Sequence, residues 1–206
     1  MKKNNLIRFV QSLAFLPLMT MPLSLGSLHN EISQNLLVQK VNIEAKESSA
    51  INEAEKAKAR ALRAQAEAID RYFLDRDMPL AGTGMKMAEE ADKHGLDWRL
   101  LPAIAVREST GGKNDCQRVK NNPFGWGSCK IGFDSVDKAI ETLARNLSGN
   151  NPNTAHYYDN KSTRQILNAY NPPSIVAKYT DQVISIMNVI GQENINIAEI
   201  ATIPNS

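Results

Sequence analysis

A carboxylic acid stands in this chain where an apolar core would be expected to continue. Glu108 ends the run Leu100-Leu101-Pro102-Ala103-Ile104-Ala105-Val106-Arg107-Glu108 and is followed by Ser109-Thr110-Gly111-Gly112. Leu101, Ile104, Ala105 and Glu108 fall at i, i+3, i+4 and i+7, so in a helix the carboxyl shares one stripe with core residues. An acid in that position, at the turn where glycines release the chain, is expected at the wall of a cleft with its pKa raised by desolvation. Such a group keeps its proton near neutral pH and can deliver it, which is what general acid catalysis requires. The plainer alternative is a glutamate that caps a helix or bridges to a cation. The dipole at a helix C-terminus disfavours an anion and so argues against that alternative. Asp115, Asp134 and Asp137 follow as candidates for a second carboxylate, although the last two also fit the N-cap or first turn of the next helix.

The acid works only if the segments around it fold to hold it. Thr83 is expected to cap a short helix through Met87, Ala88 and Ala91 to His94, stopped by Gly95. Asp97 is expected to cap the Glu108 helix. Pro102 would then fall beyond the first turn, and a later start is the alternative. Ser135 or Asp134 opens a helix through Val136, Ala139, Ile140, Leu143 and Leu147. Ser162 or Thr163 opens another through Ile166 and Leu167 to Tyr170, ended by Pro172 and Pro173, and a last one is expected from Ser174 through Val183, Ile186 and Met187 to Ile190. Gly111 to Gly132 lacks helical periodicity and is expected to be loop, with a short hairpin as the alternative. The fold expected for residues 75–190 is therefore mainly α, helical with a small irregular or β-hairpin lobe after the Glu108 helix, in an α+β arrangement. Residues 191–206 are expected to be a flexible tail.

Residues 1–26 read as an export signal. Lys2, Lys3 and Arg8 precede an apolar stretch from Phe9 to Leu25, and Ser24-Leu25-Gly26 offers small residues for cleavage. The stretch is near the minimum of about 17 residues for a span and is broken by Gln11, Ser12, Pro17 and Pro22, which favours cleavage over a membrane tether. Residues 27–74 follow as a polar linker, Asn30 to Ser49, and then a helical stalk rich in Ala, Glu, Lys and Arg from Ile51 to Phe73. Apolar bulk in the stalk gathers at Leu62, Ile69, Tyr72 and Phe73, so its first half is read as a solvated face, with a helical partner as the alternative. The whole chain carries 24 basic and 22 acidic side chains. Without the three cations of the leader it has 21 basic against 22 acidic, and the net charge falls from +2 to −1. That balance gives no electrostatic case for a nucleic-acid partner. After export, Cys116 and Cys129, the only cysteines, are expected to pair, closing a short loop worth about 3 kcal/mol in the chain-entropy picture. Two cysteines supply half of a structural zinc site and no histidine lies near them, so neither a metal nor a cofactor is expected.

Four segments, in order, resemble the lysozyme-like superfamily, near the bacterial peptidoglycan N-acetylglucosaminidases and the lytic transglycosylases. Ile104-Ala105-Val106-Arg107-Glu108-Ser109 resembles the helix ending in a catalytic Glu-Ser pair, and Asn121-Asn122-Pro123-Phe124-Gly125 resembles the Asn-Asn-aliphatic-Phe-Gly of the glucosaminidase branch. Phe133 and Ser135 resemble the Phe-x-Ser segment that opens the next helix, and Ala169-Tyr170-Asn171, with Tyr179 and Val183 behind it, resembles the Ala-Tyr-Asn element of the transglycosylase branch. The match covers about half the chain, Met85 to Ile190. The Gly-Leu-Met-Gln run of many transglycosylases is absent, which favours the glucosaminidase side.

The resemblance implies an enzyme, an exported hydrolase of peptidoglycan glycan strands working in the periplasm, at the cell wall or outside the cell. Glu108 would be its general acid, and Tyr170 would lie across the cleft, assisting the reacting sugar by hydrogen bonding. Sugar rings present C–H faces that aromatic side chains and close backbone can meet. On this reading the substrate contacts are Ser109, Asn122, Phe124, Gly125, Trp126 and Tyr179, with core packing as the plainer role for Phe124. A lytic transglycosylase, which needs only one glutamate, and a non-catalytic glycan-binding module are the alternatives.

Overall fold

In a computed structural model of the chain the described residues are 28–201, so the leader at 1–26 lies outside them. The described elements are all helices: α1 (Leu28–Leu74), α2 (Gly84–His94), α3 (Leu100–Ser109), α4 (Val136–Leu147), α5 (Ala155–Tyr158), α6 (Thr163–Tyr170) and α7 (Tyr179–Ala201). Among the described residues there is no strand, and the fold is mainly α. Of the two forms expected for the lobe after α3, irregular or hairpin, the described residues take the irregular one: Asn121, Gly125, Gly127, Ser128 and Cys129 all have positive φ, which extended strands do not accommodate.

The described residues divide into two units, one ending at residue 52 and one beginning at Glu53. In the first, the segment Asn30 to Ser49 is helical and not a linker. It has no glycine and no proline, so nothing in it stops a helix even though it lacks an apolar period. Among the described residues no helix is long and apolar enough to cross a membrane.

The core of the second unit is built around α3. Leu100, Leu101, Ala103, Ile104 and Ala105 are all fully buried. The single apolar stripe inferred from spacing is thus a helix covered on all sides, as expected of a segment with no polar face. α7, α2 and α4 pack against it. Ile69, Tyr72 and Phe73 from the end of α1 join the same core, and so do Ile140, Leu143 and Leu147 of α4 and Val183, Met187 and Ile190 of α7. The outer side of the α2–α4 pair is laced by charge. Lys86 Nζ lies 3.1 Å from Glu90 and 2.7 Å from Glu141, and Lys93 lies 3.1 Å from the buried Glu90 carboxylate.

Helix ends follow the sequence signals in part. Ser135 accepts a hydrogen bond from the Lys138 amide, and Ser162 forms a reciprocal capping box with Gln165. Thr83 precedes α2 as expected but makes no side-chain cap, its hydroxyl donating to the Leu80 carbonyl at 2.7 Å. Asp70 of α1 does the work instead, its Oδ1 accepting from the amides of Gly82 at 2.8 Å and Gly84 at 2.9 Å. Asp97 does not cap α3 either. Its carboxylate takes the Arg99 backbone amide at 3.0 Å and the guanidinium at 2.9 and 2.6 Å. α3 therefore starts at Leu100, which puts Pro102 in the first turn, where its missing N–H has no intrahelical acceptor to lose.

α7 begins at Tyr179 and not at Ser174, because Ile175 and Val176 both donate to the Pro172 carbonyl and hold residues 172–176 in a turn. It then runs through Gly191 to Ala201, so the first part of the expected tail is helical. Gly191 lies close to Arg99: a Cβ there would stand 3.3 Å from Arg99 Nη1.

Asp70→Ala is expected to lower the unfolding free energy by about 1–2 kcal/mol by stripping the shared acceptor from two amides. Urea unfolding monitored by tryptophan fluorescence reads this as a lower midpoint at unchanged slope. An unmoved midpoint would show that water replaces the carboxylate without cost.

Candidate active site

α3 leaves the core at its last turn. Thr110, Gly111 and Gly112 take φ of 54°, 63° and 94°, and the Thr110 and Gly111 amides close the helix end on the carbonyls of Val106 and Ala105. Only glycine fits at 111, since a Cβ would lie 2.6 to 2.8 Å from Met78. This exit sets Glu108 in the wall of an open cleft of about 770 Å³.

The other walls come from four places. The Gly125 to Phe133 loop supplies Trp126 and Ile131, and α4 supplies Thr142 and Asn146. The α5 region supplies Asn151, Thr154, Tyr157 and Tyr158, while the end of α6 and the turn after it supply Tyr170, Asn171 and Ile175. Among the described lining residues Glu108 is the only one with an acidic or basic side chain, tyrosines aside.

Burial pushes the Glu108 pKa up, and the neighbouring Tyr179 hydroxyl and Arg107 cation restrain that rise. Glu108 Oε1 and the Tyr179 hydroxyl are both buried and find no other hydrogen-bond partner among the described residues. An ionised carboxylate with an unsatisfied oxygen is costly, so the protonated acid is favoured. The C-terminal pole of α3 acts in the same direction. Gly125, at φ 64°, presents bare backbone to the other oxygen: a Cβ there would stand 3.0 Å from Glu108 Oε2.

A row of rings braces the site. The Trp126 and Tyr170 centroids are 5.9 Å apart, those of Tyr170 and Tyr179 are 6.1 Å apart with near-parallel planes, and the Arg107 guanidinium lies 5.6 Å from the Tyr179 centroid. Arg107 is further held by Gln182 Oε1 at 2.8 Å. Tyr170 donates a short hydrogen bond to the Phe124 carbonyl. Burial, reinforced by the nearby Glu108 charge, keeps its phenol neutral well above the ordinary range.

Glu108, Gly125, Trp126 and Tyr170 therefore meet at the cleft, but four other expected contacts do not line it. Ser109 is buried, its hydroxyl donating to the Ala105 carbonyl at 3.0 Å and accepting from the Gly112 amide at 2.9 Å, so it finishes the helix. Asn122 is fully buried. Its amide donates to the carbonyls of Trp126 at 2.8 Å and Ile131 at 2.9 Å, and its oxygen accepts from the Trp126 amide at 3.0 Å. It shapes the loop from inside. Phe124 is a core residue, and Tyr179 is buried behind Glu108. In each case a helix end or a loop without ladder bonds uses the polar or bulky group internally.

Cys116 and Cys129 are joined in a disulfide with Cα atoms 5.4 Å apart, and it closes the segment that carries Asn122 and Trp126. Asp115 accepts from the adjacent Cys116 amide, Asp134 and Asp137 are exposed, and none of the three lines the cleft.

Sequence reasoning missed Asn146. Its Oδ1 accepts from Asn151 Nδ2 at 2.9 Å and Thr154 Oγ1 at 2.6 Å, tying α4 to the next cleft segment. The signal was present, since Asn146 interrupts the apolar stripe of α4 between Leu143 and Leu147 just as Glu108 interrupts that of α3. Compared with known proteins, the chain matches no family model, no curated protein and no solved structure.

Two outcomes follow from this geometry. Gly125→Ala is expected to cost about 1–2 kcal/mol through its left-handed backbone alone, read by urea unfolding. For Glu108 the sign is set by a folded pKa raised above the unfolded one. The native state holds a proton that the unfolded chain releases, so stability falls as pH rises from the ordinary carboxylate range through the raised value. Glu108→Gln is expected to remove that fall and to raise the thermal midpoint at neutral pH. A midpoint that drops at every pH would mean that the ionised carboxylate is a stabilising group.

Proposed function

We propose that the chain is an exported glycoside hydrolase of the peptidoglycan glycan strand, of the N-acetylglucosaminidase type, with Glu108 as general acid. One observation supports this reading: among the described lining residues the open cleft has a single carboxylic acid, Glu108, and burial raises its pKa. Breaking a glycosidic bond needs a proton on the leaving oxygen as the C–O bond parts and an oxocarbenium-like centre develops. Glu108 supplies the proton, and the carboxylate left behind opposes the developing positive charge. Trp126 offers an aromatic face to a sugar ring. Tyr170 commits its own hydrogen to the Phe124 carbonyl, so toward a substrate hydroxyl or amide it acts as an acceptor. The lysozyme-like resemblance and the Cys116–Cys129 disulfide, a bond at home in oxidising compartments, support the assignment to the periplasm, the wall or the exterior.

A second reading, the lytic transglycosylase, is favoured by the absence of another carboxylate among the described lining residues. With no second acid to activate water or to attack, the substrate's own acetamido oxygen can stabilise the cationic carbon and an internal hydroxyl can complete the displacement.

Glu108→Gln is expected to cut the release of soluble fragments from purified sacculi by about 10²- to 10⁴-fold while leaving sedimentation with sacculi intact. Undiminished release would remove Glu108 from the chemistry, and binding without release by the unaltered protein would make the chain a glycan-binding module. Mass spectrometry of the products separates the two enzymatic routes by reducing ends or anhydro sugars.

A further inference from the structure

Among its described lining residues the cleft has no cation. Arg107, the nearest in sequence to Glu108, is held by Gln182 and faces the Tyr179 ring, and Lys130, beside the cleft residue Ile131, is exposed and does not line the site. The mouth is apolar instead. Ile131, Tyr157 and Ile175 line it from three separate segments while remaining 44%, 54% and 75% exposed. Such exposure of large apolar side chains around one cleft marks a contact surface. A carboxylate brought into this setting would lose water and gain no counter-charge from the described lining residues.

Resting on the glycan reading above, we infer that this cleft selects uncharged sugars and rejects strands that carry free lactyl carboxylates. In peptidoglycan every second sugar bears a lactyl group. While its carboxyl is amide-linked to the stem peptide the sugar itself is neutral, and the peptide's charges extend away into solvent. Removal of the peptide by an amidase leaves an anion directly on the ring. N-acetylglucosamine carries no such group. The substrate is therefore peptide-bearing peptidoglycan, and cutting precedes amidase stripping. Ile131, Tyr157 and Ile175 meet the acetamido and lactyl methyl groups.

The test is co-sedimentation of the full chain, on ice, with intact sacculi and with sacculi stripped of stem peptides by an amidase. Binding to stripped sacculi is expected to be about tenfold weaker, the scale of burying an unpaired charge at a partly solvated site. Ile175→Lys, which places a cation on the exposed rim, is expected to tighten binding to stripped sacculi about threefold. Equal or tighter binding of the unaltered chain to stripped material overturns the inference. So does a preference that Ile175→Lys leaves unmoved, because peptide contacts would then be its cause. A preference that persists without any release of fragments sinks the hydrolase reading alone, and binding to neither material removes both.

Discussion

Helix α3 is apolar on every side from Leu100 to Ala105, and the second unit is arranged to keep it from water. The end of α1, together with α2, α4 and α7, contributes to the core that encloses it. This constraint also places the acid. The buried run of α3 must end somewhere, and the three positive-φ residues after Ser109 turn the chain away at the point where the wrapping stops. Glu108 sits on that last turn, so it is partly desolvated by the same packing that stabilises the fold. Burial of α3 and elevation of the Glu108 pKa are one physical fact seen from two sides.

The loop opposite Glu108 is stabilised by other means. It has no ladder of backbone hydrogen bonds, so its polar groups are satisfied by side chains: Asn122 holds both the amide and the carbonyl of Trp126, and Asn121 donates to the Phe133 carbonyl at 2.9 Å. The disulfide ties its flanks, and Tyr170 reaches across from α6 to the Phe124 carbonyl. Gly125 can therefore lie close to the acid without a side chain intervening. The loop is irregular in backbone, yet fixed at both ends and at its centre.

The site keeps what a purely stable fold would discard. The Glu108 carboxyl oxygen and the Tyr179 hydroxyl are both buried with no other partner among the described residues, which lowers stability for as long as the acid is retained. Two polar groups buried side by side, beneath a cleft with no other acidic or basic side chain among its described lining residues, tyrosines aside, mark a position where local consistency yields to chemistry. The uncharged lining gives this exception its sharpness, because nothing else in the cleft competes for control of the carboxyl proton.

Much of this arrangement was legible in the residues. The apolar run marked α3, Ser135 and Ser162 marked two helix starts, and the two cysteines marked their own pairing. Glu108 was legible as a charge out of place, and Asn146 was out of place in the same way. The rest depended on partners distant in sequence. Asp70 caps α2 from α1, and no spacing rule links residues twelve and fourteen apart across a turn. Gly191 reads as a helix stop but lies inside α7, close to Arg99, and Asn30 to Ser49 reads as linker because periodicity reports burial, which a helix whose described side chains are exposed does not need. Ser109, Asn122, Phe124 and Tyr179 lie near the acid in order along the chain or in space, but only the packing shows that they are buried away from the cleft. The sequence by itself determined which residue types gather near Glu108, because periodicity and turn chemistry are local. Which of them face the cleft was decided by tertiary structure, because that depends on where buried polar groups find their partners.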